Sequence, residues 1–133
     1  MGESRVLVVE DDETISDLVA TQLERAGYTV FVAYDGESGL EQAARARPHA
    51  IVLDIGLPGL DGLGVLERLK ADPHLKSVPV LMLTARHVRQ DAEQALKLGA
   101  HGYLSKPFDA TSFLHRIARL VEVAKAGKNG DEP

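Results

Sequence analysis

The sequence of 133 residues predicts an α/β fold in which a parallel β-sheet is covered by helices on both faces. Five short apolar runs alternate with five segments of helical spacing, and strands separated by helices pair in parallel. The runs are apolar at consecutive positions, as expected of strands that are buried on both faces. The length and the 44% hydrophobic content fit one globular domain with a single core.

The first half of the chain predicts two strand–helix units and a third strand. Residues 5–10, RVLVVE, are a β-branched run typical of a strand, and Gly27 ends the helix that follows. Residues 28–33 predict the second strand, and the second helix begins near Asp35. Residues 50–54, AIVLD, predict the third strand. The predicted inner face of the first helix consists of Ile15, Leu18, Val19, Leu23 and Ala26.

The second half continues the same alternation. Periodic leucines predict the third helix, a consecutive apolar run predicts the fourth strand, and Gly99 ends the fourth helix. These elements are a helix over 62–72, a strand over 79–85, a helix over 88–100, a strand over 102–106 and a helix over 109–124.

The predicted domain covers residues 4–125. Residues 126–133, AGKNGDEP, are polar and lack apolar anchors, so we expect a disordered tail or the start of a linker. No apolar run approaches the ~18 residues that span a bilayer, and the N-terminus lacks a signal-peptide layout. We therefore expect a cytoplasmic protein without a membrane partner.

Composition excludes several classes of site. The chain has no cysteine, which removes disulfides, thiolate metal sites and cysteine nucleophiles. The five histidines lack metal-ligand spacing. The formal net charge of -5 argues against direct nucleic-acid binding, which usually needs a basic face.

Acidic residues stand at the carboxyl ends of two predicted strands. Glu10 and Asp11 close the first strand, and Asp54 closes the third. Ligands of parallel sheets bind at this end of the strands. If the two strands are neighbours, each pair of carboxylates at ~4 Å and an effective dielectric of ~20 repels by about 4 kcal/mol. Such a cluster needs a cation, and an oxygen-only ligand set suits Mg²⁺.

Two further polar residues end the fourth and fifth strands. Thr84 closes the fourth strand and Lys106 follows the fifth. A carboxylate beside a bound cation, an ammonium group and a hydroxyl can receive a phosphoryl group, since this transfer needs charge neutralisation and positioning. Asp54 would supply the attacking oxygen, while Lys106 and Thr84 would each bind a phosphoryl oxygen.

Four motifs, in order, carry a family resemblance: VLVVEDD, IVLDIGLPGLDG, VLMLTA and GYLSKPF. Together they resemble the receiver domain of two-component response regulators, similar to the chemotaxis regulator, over residues 4–125. The resemblance implies a flavodoxin-like, doubly wound sheet of five parallel strands in the order 2-1-3-4-5, with five helices.

The resemblance also implies residue roles. Asp54 would be the phosphoacceptor, and Lys106 would contact the phosphoryl group, with a cis peptide before Pro107. The implied Mg²⁺ ligands are Glu10, Asp11, Asp54 and the backbone carbonyl of Gly56. Gly59 and Gly62 are interpreted as turn and helix-entry residues without a chemical role.

A switch is implied as well. Thr84 would turn toward the phosphoryl group, and Tyr103 would change rotamer with it. The surface formed by the fourth helix, fifth strand and fifth helix, over 87–123, would respond. The side chains at positions 56 and 86 would influence how long the phosphoryl group lasts, and His87 lies near the rim of the cleft.

The implied function is regulatory rather than enzymatic, apart from the domain's own phosphorylation and dephosphorylation. A histidine kinase or phosphotransfer protein would donate the phosphoryl group, and a downstream protein or an output domain would bind the switched surface. His101, Gly102 and Ser112 replace acids that support dimers in related regulators, so we expect a monomer or a weak dimer. Both a stand-alone receiver and a receiver cut from a longer regulator remain possible.

Three other functions stay open at this stage. An aspartyl-phosphate phosphatase of the haloacid-dehalogenase type needs a second acid two residues after the nucleophile, where this chain has Gly56. A flavin-binding domain needs a phosphate loop after the first strand, where this chain has the acidic EDDE. A receiver-like interaction module that is never phosphorylated usually lacks an acid or the lysine, and this chain keeps them.

Overall fold

A computed structural model describes residues 3–85 and 89–130 of the chain. Over these residues, five strands alternate with five helices. The strands are β1 (Arg5–Val9), β2 (Thr29–Ala33), β3 (Ala50–Asp54), β4 (Val80–Thr84) and β5 (Gly102–Ser105). The helices are α1 (Glu13–Arg25), α2 (Gly36–Ala46), α3 (Gly62–Ala71), α4 (Arg89–Lys97) and α5 (Ala110–Gly130). Within the described ranges, none of these helices has both the length and the hydropathy that crossing a membrane requires.

The strands form one parallel sheet in the order β2-β1-β3-β4-β5, which confirms the predicted fold. The register pairs Val6 of β1 with Val30 of β2 on one side and with Ala50 of β3 on the other. Asp54 at the end of β3 pairs with Leu83 of β4. The carboxyl ends of β1 and β3 therefore lie side by side, as the interpretation of the acidic residues required.

Each face of the sheet has its own core, because neighbouring residues of a strand point to opposite faces. On β1, Val6 and Val8 pack beneath α1 and α5, whereas Leu7 and Val9 pack beneath α2, α3 and α4. All residues of β3 and β4 are buried. This double burial explains the consecutive apolar residues of the strands.

Helix α1 shows where the sequence pattern overestimated burial. Val19 and Leu23 are fully buried, as predicted, but Leu18 is 56% exposed and Ala26 is exposed. The inner face of α1 is therefore narrower than the pattern suggested, since the helix contacts the sheet along one row of side chains.

Helix α5 ends later than the sequence predicted. We expected it to stop near Ala124 and residues 126–133 to form a disordered tail or a linker, but the helix continues to Gly130. Alanine and lysine favour a helix, and each glycine in it costs only about 1 kcal/mol. Residues 131–133 lie outside the described residues.

Candidate functional site

The acids after β1 occupy two different environments. Glu10 forms a backbone hydrogen bond to the Ala33 carbonyl of β2 and is only 1% exposed, whereas Asp11 is exposed. The Glu10 Oε2 accepts a hydrogen bond of 3.1 Å from the Asp12 backbone N–H. The Asp12 side chain in turn accepts a hydrogen bond from the Ile15 N–H and caps α1. Only Asp11 of the predicted acid pair therefore faces solvent freely.

Asp54 closes β3 in a tightly packed position, with 6% of its surface exposed. The Ile55 N–H donates to the Leu83 carbonyl of β4, and the Ile55 carbonyl accepts from the Gly62 N–H at the start of α3. These two hydrogen bonds hold the backbone on the carboxyl side of Asp54. Contacts with β4 and α3 thus fix the backbone that carries the Asp54 carboxylate at the carboxyl end of β3.

Glu10, Asp11 and Asp54 form a cluster that can hold a metal ion. One carboxylate oxygen from each of the three residues lies within 4.8 Å of the others. An oxygen-only donor set with one solvent-facing member fits Mg²⁺, which keeps part of its water shell. Gly56 follows in the loop, and a β-carbon at Gly56 would stand 3.8 Å from Asp54 Oδ2. Gly56 therefore lies beside the same carboxylate.

Lys106 reaches across the sheet to these acids. Its Nζ lies 2.6 Å from Glu10 Oε1 and 3.4 Å from Asp54 Oδ1. The side chains of Lys106, Glu10 and Asp54 are 14%, 1% and 8% exposed, so these ion pairs are shielded from water. The peptide bond between Lys106 and Pro107 is cis, as the resemblance implied.

Burial and charge shift two pKa values in this group. Burial raises the pKa of Glu10, and the hydrogen bonds from Lys106 and Asp12 oppose this shift only in part. Burial alone would lower the pKa of Lys106, but the hydrogen bond to Glu10 and the charge of Asp54 outweigh it and raise that pKa. The ammonium group therefore stays charged at neutral pH and serves as a counter-ion.

The two predicted switch residues lie at different depths. Thr84 is 4% exposed at the end of β4, and its carbonyl accepts a hydrogen bond from the Lys106 N–H. Tyr103 on β5 is 39% exposed, and its carbonyl accepts from Arg116 Nη1 at 3.0 Å. Thr84 thus belongs to the site edge, whereas the ring of Tyr103 is at the surface. Arg86 and His87 fall outside the described residues.

Gly62 is a residue whose importance sequence reasoning missed. A β-carbon at this position would overlap the Asp54 carbonyl oxygen and would lie 2.6 Å from the Ile55 Cα. The start of α3 can therefore approach the Asp54 backbone only because residue 62 has no side chain. The available signal was the glycine at the first helical position after Asp61, but nothing in the sequence indicated that it packs against Asp54.

Comparison with known proteins agrees with this arrangement. A family model described as "Response regulator receiver domain" matches residues 6–118. The chain is 45% identical over 117 residues to the DNA-binding dual master transcriptional regulator RpaA of Synechocystis sp., covering 88% of this chain and 48% of RpaA. It is 40% identical over 117 residues to the alkaline phosphatase synthesis transcriptional regulatory protein PhoP of Bacillus subtilis, with the same coverages of 88% and 48%.

Solved structures show the same fold. The chemotaxis protein CheY4 of Vibrio cholerae aligns with a TM-score of 0.85 and 31% identity, over 90% of this chain and 99% of that chain. The chain thus spans nearly the whole of that structure but about half the length of the two curated relatives.

Proposed function

The chain belongs to the family of response regulator receiver domains of two-component systems, and from this premise we propose that it accepts a phosphoryl group on Asp54. The donor is a histidine kinase or a phosphotransfer protein. The observation that carries the proposal is the convergence of Asp54, two further carboxylates and the Lys106 ammonium at one edge of the sheet. Asp54 supplies the nucleophile, Lys106 supplies a positive charge, and the other two carboxylates can bind a cation.

In the proposed reaction, an oxygen of the Asp54 carboxylate attacks the phosphorus of the donor. The O–P bond to Asp54 forms as the P–N bond to the donor histidine breaks, and the imidazole leaves with the electron pair of that bond. The product is an acyl phosphate on Asp54 that carries about -1.5 to -2 charges. Lys106, already 3.4 Å from Asp54 Oδ1, is placed to pair with the new phosphoryl oxygens.

The residues proposed to hold Mg²⁺ are Glu10, Asp11, Asp54 and the backbone carbonyl of Gly56. When bound, the cation would neutralise negative charge on the phosphoryl oxygens. Asp11 is the exposed member of the cluster and so offers the most accessible ligand. Glu10 is buried and already accepts hydrogen bonds from Lys106 and from the Asp12 N–H, so we propose that it acts on the cation through water.

We propose that Thr84 and Tyr103 transmit the change. A phosphoryl group on Asp54 adds strong acceptors next to β4, and the Thr84 hydroxyl would donate to one of them. Movement of Thr84 would open space beside β5, and the exposed ring of Tyr103 would turn inward. The surface of α4, β5 and α5 would then favour a second conformation.

The partner of that surface is a downstream protein or an output domain, and we propose that the domain works in the cytoplasm as a monomer or weak dimer. Matches to longer transcriptional regulators are consistent with an output domain. The near-complete match to a chemotaxis protein is consistent with a stand-alone receiver. The domain bounds of 4–125 remain a prediction.

Intact mass spectrometry after incubation with acetyl phosphate tests the proposal. We expect a gain of ~80 Da, the mass of one phosphoryl group, that requires Mg²⁺ and is lost in Asp54→Ala. The matched control is Asp35→Asn, which changes an exposed helix-capping acid at the same edge of the sheet and should retain the gain. A folded wild type that gains no mass would contradict the proposal and favour an interaction module that is not phosphorylated.

A further inference from the structure

The sheet ends in β2 on one side and in β5 on the other, and these edge strands differ in their protection against a further strand. Strand β5 has four residues, and Arg116 of α5 donates to its Tyr103 carbonyl at 3.0 Å. A short edge strand with a charged side chain beside it discourages pairing. Residues 28–34, YTVFVAY, which include β2, contain no charged residue, proline or glycine. The residues of β2 therefore lack the features that protect an edge.

The backbone of β2 has hydrogen-bonding groups on its outer side. The Thr29 N–H donates to the Ser4 carbonyl, and the Ala33 carbonyl accepts from the residue that follows β1. Successive residues of a strand direct their N–H and C=O groups to opposite sides. The backbone groups of Val30 and Val32 therefore point away from the sheet. Both residues are only half-buried, whereas all residues of the central strands β3 and β4 are buried.

The sequence around β2 is nearly the same in both directions. With Phe31 at the centre, Val30 mirrors Val32 and Tyr28 mirrors Tyr34. A second copy that runs antiparallel about a twofold axis at residue 31 therefore meets the same residue types. This register also sets Val30 opposite Val32 of the second copy, so their outward N–H and C=O groups can exchange hydrogen bonds. Side-chain matching and backbone hydrogen bonding thus require one and the same register.

The charges next to this edge also suit a second copy. Phe31 packs in the core beneath α2, and Glu37 of that helix lies 3.5 Å from Arg68 of α3. The flank of α2 that carries Glu37 therefore faces α3, and the opposite flank faces the free edge of β2. That opposite flank carries Gln42 and Ala46, which are uncharged and half-buried. In the antiparallel arrangement the two α2 helices would face each other without like charges in contact.

From these features we propose that the free edge of β2 is a docking surface for a second copy of the chain, with the two β2 strands paired antiparallel in one continuous sheet. The contact is closed, because a twofold interface uses each β2 edge once and the outer β5 edges are protected. It buries less than the ~1,200 Å² of a stable interface, so the dissociation constant should be on the order of 100 μM. The inference goes beyond the proposed function, because this contact needs no phosphoryl group and leaves α4, β5 and α5 free.

Disulfide cross-linking tests the register, since the chain has no cysteine of its own. Phe31 would lie opposite Phe31 of the second copy in a non-hydrogen-bonded pair, with Cα atoms ~4.5 Å apart. This separation suits a disulfide, so Phe31→Cys should form a covalent dimer on mild oxidation. The matched control is Tyr34→Cys, because Tyr34 is 45% exposed but would lie ~20 Å from its own equivalent. The control should cross-link at least about tenfold more slowly.

Sedimentation velocity of the unmodified chain tests the association itself. We expect a dimer whose share rises with concentration and no larger species. Val32→Pro removes the outward N–H while keeping the hydrogen bonds to β1, and it should raise the dissociation constant at least about tenfold. Where Phe31→Cys does not fold, as judged by circular dichroism, this variant decides the matter.

Three results would overturn the proposal. The first is a Tyr34→Cys variant that cross-links as fast as Phe31→Cys or faster, because the register would then be wrong. The second is a wild type that stays monomeric up to ~1 mM. The third is a folded Val32→Pro variant that associates as strongly as the wild type, because the dimer would then use another surface. None of these results bears on phosphoryl transfer to Asp54, which the mass measurement tests separately.

Discussion

Two partly buried lysines lie at opposite ends of the parallel strands, and their pKa values are shifted in opposite directions. At the carboxyl edge, Lys106 pairs with Glu10 and Asp54, and its pKa is raised. At the amino edge, Lys70 at the end of α3 donates to the carbonyls of Lys76 and Val78 at 3.0 and 3.1 Å. Burial lowers the pKa of Lys70.

The difference lies in the partners. Carboxylates restore the charge balance that a lysine loses on burial, whereas neutral carbonyls replace only its hydrogen bonds to water. Lys106 is therefore part of an electrostatic site, and Lys70 is a structural link between α3 and the loop before β4. The stem of Lys70 also packs against Gly99 after α4, where a β-carbon would lie 3.2 Å from Lys70 Cε.

The strongest test of this comparison is the loss of the site lysine. Lys106→Met should destabilise the fold by about 3 kcal/mol in the absence of divalent cations, because it leaves the buried Glu10 carboxylate without its ion pair. Urea unfolding followed by circular dichroism at neutral pH measures the change. Mg²⁺ should recover part of the loss by binding only the folded chain. A stability within about 0.5 kcal/mol of wild type would show that the ion pair contributes little.

A second test concerns the backbone behind Asp54. Gly62→Ala should destabilise the fold by about 2 kcal/mol, because its β-carbon meets the backbone of Asp54 and Ile55, and it should slow the mass gain with acetyl phosphate. The control is Gly64→Ala in the same helix turn. There the β-carbon would meet the Leu60 side chain, which is able to shift, so stability should stay within about 1 kcal/mol of wild type. Equal effects of the two substitutions would contradict the contact with Asp54.

The loss of stability should be smaller for Lys70, at the amino ends of the strands. Lys70→Met retains most of the packed stem and loses two hydrogen bonds, so we expect a destabilisation of about 1 kcal/mol with no dependence on Mg²⁺. The measurement is the urea midpoint with and without the cation. A loss as large as that of Lys106→Met would remove the distinction between the two edges.

The smallest predicted effect is that of His101 on the pH dependence of folding stability. Burial and the nearby charge of Lys70 lower the pKa of His101 below its usual 6.5. The unfolded chain then binds the proton more readily, so stability is lost as the pH falls through 6.5 toward the folded pKa. His101→Gln should remove this contribution, which we expect to be below about 0.5 kcal/mol because the residue is partly exposed.

The comparison that isolates His101 is the difference in stability between wild type and His101→Gln from pH 7.5 to pH 5. Lys70→Met should reduce that difference but not abolish it, since burial remains. A difference that grows in favour of wild type on acidification would have the wrong sign.

Much of the fold followed from sequence pattern. Consecutive apolar residues separated by helices predicted the parallel sheet, and the end of each strand predicted the edge at which Glu10, Asp11, Asp54 and Thr84 stand. These inferences succeed because the burial of a strand, and the end at which it stops, can be recognised from the residues of that strand alone. The strand order itself came from the family resemblance rather than from periodicity.

The contacts within the site could not be predicted as well from the sequence. Sequence reasoning assigned Lys106 to the phosphoryl group but did not indicate that its nearest acid is Glu10, because reach across two strands depends on side-chain conformation. It also missed Gly62 against Asp54 and overestimated the burial of Leu18. Such features depend on the distance between elements, which local spacing does not encode.

The 2.6 Å ion pair between Lys106 and Glu10 joins residues 96 positions apart in the chain. During synthesis, Glu10 and Asp54 emerge well before Lys106, so a nascent chain that ends before β5 has the acids without their counter-ion. Their mutual repulsion opposes closure of that edge until the last strand docks and supplies the missing charge. Docking of β5 and electrical neutrality of the acidic edge are thereby tied to the same late folding event.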